Sequence, residues 1–534
     1  MENSGATMMD VPLTIDLVVD RAERWTSGIE VVSRRPDKSI TRTTYGEVAG
    51  RARRLARALV AAGIGRGDRV ATLMWNHSEH LECYFGIPLS GGVTHTLNLR
   101  LHPDEIAFIA NDAGDRFVIV DDCLLPLFDK VVAAGGKFER VIVVGAAGDH
   151  EPYEQFLASA PATTALPKLA ETDALGICYT SGTTGKPKGV IYSHRSTVLH
   201  SIVSAMPDAL DLSRADTLLP VVPMFHVNAW GLPYTCALVG AKLIFPGPFL
   251  DPPSLLELFQ NEKVTIGAGV PTIWLGIREA LDANPGTWKL QPGLKMIVGG
   301  SAAPEQMIRD FDRLGMTLLH AWGMTETSPI GLVSRLPPHL ATADEDTRYR
   351  LRAKQGVPPP LVDIRVRNDA GDVPADDRTS GELMVRGPWV AASYAGGHTP
   401  ERWTDDGWFR TGDVARIDEH GFVQLTDRVA DQIKSGGEWI SSQELENTLM
   451  GHPAVKEAAV IGVPHPKWSE RPLAAVVLKP GATATADELR AFLAPKFPKF
   501  WLPDAVVFVD AIPRTSAGKF KKTELRDTYR AHYT

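Results

Sequence analysis

The sequence predicts an α/β protein in which large sheets are flanked by helices, followed by a smaller α+β domain at the carboxyl end. Three observations support this prediction. Apolar runs that end in glycine or polar residues recur along the chain, helical stretches lie between many of them, and short strand-like pieces dominate from about residue 355. With 534 residues the chain is too long for one ordinary domain, so we expect at least two.

The first region is predicted to contain a helix followed by a strand. Thr44 and Glu47 fit a capping box, in which each side chain accepts a hydrogen bond from the other residue's backbone. The segment DRVATLM, residues 68–74, follows as a strand. Between them Gly63 ends a run of apolar residues at helical spacing, namely Val48, Ala52, Leu55, Ala56 and Leu59.

Six apolar runs in the central part of the chain have the pattern of strands that end in loops. In sheets flanked by helices, ligand-binding loops gather at the carboxyl ends of the strands. We therefore expect a binding site built from the loops that follow these runs. The runs are ALGICYTSG (174–182), TLLPVVPMFH (217–226), AKLIFPG (241–247), KVTIGAGVP (263–271), LKMIVGGSAAP (294–304) and MTLLHAWGMTE (316–326).

The region after residue 355 is predicted to form a small β subdomain and then a compact tail. Its strand-like pieces are broken by Gly, Asp and Pro, which is typical of short strands joined by turns. The tail alternates predicted helices and strands and has the size of a separate α+β domain. We place the boundary near residues 427–431, which gives domains over residues 1–427 and 428–534. The pieces are VDIRVRN (362–368), GELMVRG (381–387) and GFVQLTD (421–427), with helices at 442–450 and 486–497 in the tail.

Composition excludes several classes of function. A net charge of −8 argues against general nucleic-acid binding, which needs a basic face. The sequence contains no apolar stretch long enough to span a bilayer, and its first residues lack the pattern of a signal peptide. Four scattered cysteines without CxxC spacing are typical of reduced core residues. We therefore expect a cytoplasmic protein.

Residues 179–189, YTSGTTGKPKG, are predicted to hold phosphate. The stretch combines small residues that let the backbone approach a ligand with hydroxyls and two lysines. It fails the P-loop pattern, because Pro187 stands where that pattern requires glycine. The alternative is a flexible surface linker, but the apolar run Ala174 to Thr180 directly before it favours a ligand site.

Eight motifs in a fixed order resemble the adenylate-forming superfamily of acyl-CoA synthetases, nonribosomal-peptide adenylation domains and beetle luciferases. The resemblance extends from end to end and is greatest to medium- and long-chain fatty acyl-CoA synthetases. It implies a large amino-terminal domain of packed subdomains, a small mobile carboxyl-terminal domain and an active site between them. The motifs are YTSGTTGKPKG, PMFHVNAW (223–230), GGSAAP (299–304), AWGMTETSP (321–329), GELMVRGP (381–388), WFRTGDVARIDEHG (408–421), DRVADQIKSGGEWISSQELE (427–446) and PRTSAGKFKK (513–522).

The resemblance implies a two-step reaction with ATP, Mg²⁺ and coenzyme A. A carboxylate attacks the α-phosphate of ATP to give an acyl-adenylate and pyrophosphate, and the thiol of coenzyme A then displaces AMP. The implied partners are small molecules, with no nucleic acid and no membrane span. Formation of a homodimer is left open.

The resemblance also assigns roles in adenylate formation. Lys519 bridges the reactants, Thr325 contacts the α-phosphate, and Glu326 with Thr180 serves the metal. Asp413 binds the ribose hydroxyls and Arg428 the same nucleotide. Trp322 offers an aromatic plane to adenine where most relatives carry tyrosine. The remaining implied ATP- or AMP-binding residues are Ser181, Gly182, Thr183, Thr184, Gly185, Lys188, Gly300, Ala302, Ala303, Pro304, His320, Ala321, Gly323, Met324 and Trp439.

For the thioester step, the resemblance makes Lys434 the residue that swings in. Gly436 and Gly437 would line a passage for the pantetheine arm, and Arg471 would meet a phosphate of coenzyme A. For Lys519 the alternative is a solvated basic patch, and for Arg471 an ordinary solvated arginine. The hinge departs from the family pattern, because Ala430 stands where Asp or Lys is usual and Asp431 follows it. The hinge tolerates alanine, the pivot has moved by one residue, or the residue is an engineered substitution.

The resemblance places the acid beside His226, Val227 and Trp230, with Gly300 and Met324. The two rings are spaced four apart and are predicted to share one face of a helical turn; the alternative is simple core packing. No extra lysine or arginine in the adjacent motifs would meet a second charge, so we expect an unbranched apolar acid of medium length.

Other functions remain open at this stage. They are a stand-alone adenylation enzyme that charges a carrier protein, an aryl-acid CoA ligase, a luciferase-like oxygenase and a catalytically silent binding protein.

Overall fold

The computed structural model describes residues 7–180, 186–436, 438–514 and 520–533, with the side chain of Glu438 left out. The chain divides into two compact units. The first contains residues 1–179, 189–206 and 211–249, and the second contains residues 180–188, 207–210 and 250–534.

The first unit alternates helices and strands as the sequence predicts. Its predicted capping box at Thr44 and Glu47 is confirmed at the start of α2. The elements are α1 (Ile15–Trp25), β1 (Glu30–Arg34), β2 (Ile40–Thr44), α2 (Tyr45–Ala61), β3 (Arg69–Leu73), α3 (Ser78–Leu89), β4 (Val93–Thr96), α4 (Pro103–Ala113), β5 (Asp115–Asp121), α5 (Leu125–Ala133), β6 (Arg140–Val144), β7 (Glu151–Pro152), α6 (Tyr153–Ala158), β8 (Ala174–Tyr179), β9 (Gly189–Ser193), α7 (His194–Ala205), β10 (Thr217–Pro220), the four-residue turn α8 (Val227–Trp230), α9 (Leu232–Val239) and β11 (Lys242–Phe245).

A seven-stranded sheet in the order β7-β6-β5-β3-β4-β8-β9 organises much of this unit. All neighbours in it are parallel except β8 and β9, which pair antiparallel. Apolar side chains from both faces of β3 and β5 are buried in cores against α2, α3 and α6 on one side and α4 and α5 on the other. Burial on both faces is typical of parallel sheets covered by helices.

The second unit begins with a continuation of this alternation and ends with two antiparallel sheets. Its elements are α10 (Pro252–Asn261), β12 (Ile266–Gly269), α11 (Pro271–Ala283), β13 (Lys295–Val298), α12 (Glu305–Arg313), β14 (Thr317–Gly323), β15 (Ile330–Val333), α13 (Glu345–Ala353), β16 (Asp363–Asn368), β17 (Gly371–Asp372), β18 (Gly381–Arg386), β19 (Phe409–Ile417), β20 (Val423–Arg428), β21 (Ile433–Ser435), β22 (Glu438–Ile440), α14 (Ser442–Met450), β23 (Val455–His465), β24 (Ser469–Leu478), α15 (Ala486–Leu493), β25 (Ala505–Phe508) and α16 (Lys522–Tyr529).

Three groups of strands in the second unit carry several of the predicted site residues. β12, β13 and β14 are parallel, and β15 pairs antiparallel with β14. The predicted β subdomain is a five-stranded antiparallel sheet in the order β17-β16-β18-β19-β20. The tail forms a sheet in the order β22-β21-β24-β23, with β25 also paired to β24.

Candidate active site

Asp413 and Arg428 meet because β19 and β20 are adjacent antiparallel strands that place the two residues opposite each other. The Nε of Arg428 donates to Oδ1 of Asp413 over 2.7 Å. The negative charge of Asp413 is the main reason that the pKa of Arg428 is raised, and the carboxylate of Glu326 adds to it. The predicted nucleotide pair is therefore an ion pair with a buried carboxylate.

Trp322 joins this pair from a different sheet. It lies near the carboxyl end of β14, and its indole Nε1 donates to Oδ2 of Asp413 over 3.0 Å. Each oxygen of the Asp413 carboxylate therefore receives one N–H donor, from Arg428 on one side and from Trp322 on the other.

The segment predicted to contact adenine is a strand–loop–helix connection. Gly300 follows β13 with φ of +84°, a conformation that favours glycine, and an added Cβ would lie 3.3 Å from a methyl group of Val270. Ala302 and buried Ala303 follow, and Pro304 precedes the first residue of α12. This is the strand-to-loop geometry that the sequence predicted.

His320 has a different position from the one expected of a nucleotide-binding side chain. It is buried on β14, and its Nδ1 lies 3.1 Å from the backbone oxygen of Ala353. Burial lowers its pKa to about 4, so the ring is neutral at physiological pH. Its side chain therefore anchors the end of α13. Ala321 and Gly323 lie at the end of the same strand, and Met324 lies in the turn after it.

Glu326 is held by Tyr394, a residue that the sequence analysis did not single out. The Tyr394 hydroxyl donates a short hydrogen bond to Oε1 of Glu326, and both side chains are buried. Burial, followed by the charge of Glu326, raises the pKa of Tyr394 well above its usual range, so the hydroxyl stays a donor. The ammonium of Lys188 lies 5.3 Å from the centre of the Tyr394 ring.

The loop that carries Tyr394 is fastened to the segment that carries Glu326. The backbone N–H of Ala391 donates to the carbonyl of Glu326 over 2.8 Å. The Ser328 hydroxyl donates to the carbonyl of Trp389 over 2.8 Å, and the Trp389 indole donates to the carbonyl of Ile330 over 2.9 Å. No sequence signal marked Tyr394, because it stands in a loop of small residues and meets Glu326 only through these long-range contacts.

The phosphate-holding segment is described only in part. Thr180 and Lys188 pair, with the Thr180 N–H donating to the Lys188 carbonyl over 2.9 Å and the Lys188 N–H approaching the Thr180 hydroxyl at 3.3 Å. The two ends of the segment therefore close on each other. The predicted residues Ser181, Gly182, Thr183, Thr184 and Gly185 lie outside the described residues.

These residues fit a magnesium ion that arrives with a nucleotide. Within residues 7–180, 186–436, 438–514 and 520–533, no three His, Cys, Asp or Glu side chains are grouped closely enough to hold a metal ion. Magnesium commonly keeps several waters and binds one or two carboxylates plus substrate phosphates. The buried Glu326 carboxylate has oxygens of the required kind, and the Thr180 hydroxyl is a second candidate.

The predicted coenzyme A element is a hairpin with an exposed aromatic side chain. The Nζ of Lys434 lies 5.3 Å from the ring centre of Trp439, which is exposed. Gly436 has φ of +61°, and an added Cβ would lie 2.8 Å from the ring of Trp468. Position 436 therefore favours glycine. Gly437 and Lys519 lie outside the described residues.

Arg471, predicted to meet a phosphate of coenzyme A, uses its N–H donors in contacts within the protein. It is buried, and its guanidinium binds both carboxylate oxygens of Asp504 at 2.7 Å. The remaining N–H groups donate to the Ser435 hydroxyl and to the carbonyls of Phe500 and Leu502. With five N–H donors in five hydrogen bonds, none is left for a phosphate. The arginine instead ties β21 and β24 to the segment before β25.

The residues predicted to meet the acid lie in a left-handed turn of the first unit, so the predicted helical turn is wrong. His226 is extended, and every residue from Val227 to Trp230 has positive φ, between 47° and 60°. A β-branched residue such as Val227 rarely adopts this conformation. α9 begins directly afterwards at Leu232, as the predicted strand-to-helix corner requires. Gly300 and Met324, also predicted to meet the acid, belong to the second unit.

The predicted hinge is exposed and has an ion pair beside it. Ala430 is exposed after β20, while the next residue, Asp431, forms a short ion pair with Arg526 of α16. The contact ties the segment after β20 to the carboxyl-terminal helix.

Comparison with known proteins adds a family to this geometry. A family model described as "AMP-binding enzyme" matches residues 19–395, and one described as "AMP-binding enzyme C-terminal domain" matches residues 444–519. Among the described residues, no helix is both long and apolar enough to cross a membrane.

Several curated proteins are similar over nearly their whole length. A long-chain-fatty-acid–CoA ligase of Thermus thermophilus is 48% identical over 99% of this chain and 98% of its own. A medium-chain-fatty-acid–CoA ligase of Ectopseudomonas oleovorans is 44% identical over 98% and 97% of the two chains. A 3-methylmercaptopropionyl-CoA ligase of Ruegeria pomeroyi is 44% identical over 98% of each.

A solved structure with bound ATP has the same fold. It is that of MatB from Rhodopseudomonas palustris, which is 27% identical over 98% of this chain and 100% of its own, with a TM-score of 0.83.

Proposed function

This chain belongs to the family of AMP-binding enzymes, and on that premise we propose that it is an ATP-dependent acyl-CoA ligase. The observation that carries the proposal is the group of Trp322, Asp413 and Arg428, found in a family whose named function is to bind AMP. The similar proteins of Thermus, Ectopseudomonas and Ruegeria are all named as CoA ligases, which supports a thiol ester as the final product.

In the first step, a carboxylate oxygen of the acid attacks the α-phosphorus of ATP. The bond to pyrophosphate breaks, and the acyl-adenylate forms. Both reactants are negatively charged, so catalysis depends mainly on positioning and on stabilisation of charge. We assign Asp413 and Arg428 to the ribose side of the nucleotide and Thr180, Thr325 and Lys188 to its phosphates.

Glu326 is assigned to magnesium when the ion is bound with ATP, where it supplies positive charge to the phosphates. Tyr394 holds this carboxylate by its hydroxyl, and Lys188 lies over the same ring. The three residues therefore connect the phosphate segment to the proposed metal ligand.

In the second step, the thiolate of coenzyme A attacks the acyl carbon and AMP leaves. We assign Lys519 to the first step and Lys434 to the second, on two faces of a mobile domain that begins near residue 428. Lys519→Ala should abolish adenylate formation but spare thioester formation from a supplied acyl-adenylate, and Lys434→Ala should do the reverse. Damage to the same step by both substitutions would contradict the assignment.

The acid is proposed to be unbranched and apolar, of medium length within a range from short thioalkyl chains to fatty acids. The similar proteins named for long-chain, medium-chain and methylmercaptopropionyl substrates span that range. Each methylene buried should stabilise binding by about 0.8 kcal/mol until the channel is full. Catalytic efficiency should therefore rise with chain length and then drop sharply.

Trp230→Ala should flatten this dependence of catalytic efficiency on chain length, or move its maximum to longer acids. In the wild type, stronger activity with benzoate or hydroxycinnamate than with every alkyl acid would favour an aryl-acid CoA ligase.

The deciding experiment is exchange of labelled pyrophosphate into ATP, run with a panel of alkyl, thioalkyl and aryl acids. We expect exchange that depends on both magnesium and acid, followed by AMP and thioester when coenzyme A is added. Exchange without any thioester would favour an adenylation enzyme that charges a carrier protein. Failure of exchange with every acid would overturn the proposal and favour a binding protein.

A further inference from the structure

We propose that Trp322 is a positioning residue for ribose recognition, and that its indole N–H sets discrimination between ATP and deoxyribonucleotides. It does so by fixing the rotation of the Asp413 carboxylate, in addition to any contact of its ring face with adenine. The inference rests on the proposed function in one respect, namely that Asp413 accepts hydrogen bonds from the ribose hydroxyls.

Two N–H donors from different sheets hold the carboxylate. Arg428 reaches Oδ1 from β20, directly opposite Asp413, and Trp322 reaches Oδ2 from β14. One donor alone leaves the group free to turn about the Cβ–Cγ bond, whereas two donors on different oxygens fix its plane. Each ionised oxygen accepts more than one hydrogen bond, so both can still accept a ribose hydroxyl.

The backbone around Trp322 is arranged to aim its side chain. Trp322 lies opposite Leu332 on β15, but Gly323 lies opposite Ile330, so Gly331 is an extra residue in a β-bulge. Bulges bend a strand and redirect side chains, and they are common next to active sites. The bulge therefore occurs at the residue whose N–H must reach Asp413.

Gly331 also provides the space that the indole occupies. A Cβ at position 331 would lie 2.5 Å from Cζ3 of Trp322, closer than real Cβ contacts allow. The ring thus packs directly on the backbone of the bulge, and any side chain there would push it away from Asp413. The position of the Trp322 ring therefore depends on a glycine at 331.

The chemistry of tryptophan separates two tasks within one side chain. The Nε1–H at the ring edge can only donate a hydrogen bond, which here goes to the Asp413 carboxylate. The face of the ring is apolar. Trp322 is itself buried, which fixes the direction of that donor. A tyrosine at this position would place its hydroxyl at the far end of a smaller ring and could not reproduce this edge contact.

The test compares ATP, 2′-deoxy-ATP and 3′-deoxy-ATP in wild type, in Trp322→Phe, and in a variant with benzothienylalanine at position 322. Benzothienylalanine keeps the shape of the indole but replaces N–H with sulfur, so it remains informative if phenylalanine disturbs folding. Loss of a hydrogen bond to a charged group should raise the KM for ATP about tenfold or more. The KM for the deoxynucleotides should change much less, so the preference for ATP should fall.

A matched control is Trp274→Phe, which removes another buried indole hydrogen bond in the same unit, to the carbonyl of Ile297. It should lower stability but keep the preference for ATP over 2′-deoxy-ATP. Gly331→Ala should instead lower that preference with the indole N–H still present. An unchanged preference in the benzothienylalanine variant, or an equal loss in Trp274→Phe, would overturn the inference.

Calorimetric binding of the same three nucleotides separates this inference from the proposed reaction. If wild type binds ATP more tightly than 2′-deoxy-ATP but exchanges no pyrophosphate, the reaction is wrong and ribose recognition still stands. If the variants bind ATP and 2′-deoxy-ATP with the wild-type ratio, the role of Trp322 is wrong whatever the reaction is.

Discussion

Removing the Tyr394 hydroxyl should weaken the use of magnesium without removing the ring on which Lys188 rests. In Tyr394→Phe the Glu326 carboxylate keeps its buried position but loses the short hydrogen bond to its Oε1. A hydrogen bond to a charged group contributes about 1.5–3 kcal/mol, and a buried carboxylate cannot regain that amount from bulk water. The carboxylate should therefore be held less firmly where the metal needs it.

The size of the effect follows from that range. If most of the loss appears in magnesium binding, the concentration of magnesium for half-maximal pyrophosphate exchange should rise about tenfold or more. Tyr394→Ala, which also removes the ring under Lys188, should lose further activity, since an exposed cation–π contact contributes about 0.5–1 kcal/mol. The two variants thus separate the hydroxyl from the ring.

The assay is pyrophosphate exchange as a function of magnesium, with thermal unfolding of each variant measured beside it. A matched control is Tyr349→Phe, because the Tyr349 hydroxyl also donates to a carboxylate, that of Asp312, and Arg309 lies over its ring. Tyr349→Phe should keep the magnesium dependence of the wild type. A Tyr394→Phe variant with an unchanged magnesium requirement would refute the reasoning.

Two further predictions concern stability. Burial opposes a charge on His77, but the carboxylates of Asp121 and Glu79 outweigh it and raise the pKa of His77 to about 10. The stabilising contribution of the charged ring should therefore be present in full below pH 6.5 and disappear as pH rises through 10. The difference in denaturation midpoint between wild type and His77→Gln should shrink over that range, and a constant difference would contradict this prediction. Arg471→Ala should destabilise the protein by about 2–3 kcal/mol in denaturant unfolding, less than the loss of a fully buried ion pair, because Asp504 is partly exposed. The KM for coenzyme A should stay unchanged in the folded variant. A selective rise in that KM would restore the phosphate role of Arg471.

Much of the fold was predictable because its signals are local. The capping box of α2 depends on residues three apart, and α14 begins and ends where the sequence placed it, at Ser442 and Met450. The turn after His226 was not predictable, because four consecutive residues with positive φ are strained on their own. Contacts such as the Asn76 side chain, which binds the carbonyls of Pro220 and Val222 and the N–H of Met224, hold the preceding segment in place.

The sequence by itself determined the family and the residue types of the site, since eight motifs in order carry them. Only the tertiary structure decided which side chains meet: Trp322 with Asp413, Tyr394 with Glu326, and Arg471 with Asp504. The physical reason is the separation of the interacting residues along the chain. Helix caps and strand periodicity arise from neighbours in the chain, whereas these three pairs are separated by 91, 68 and 33 residues and exist only once strands from distant segments have packed.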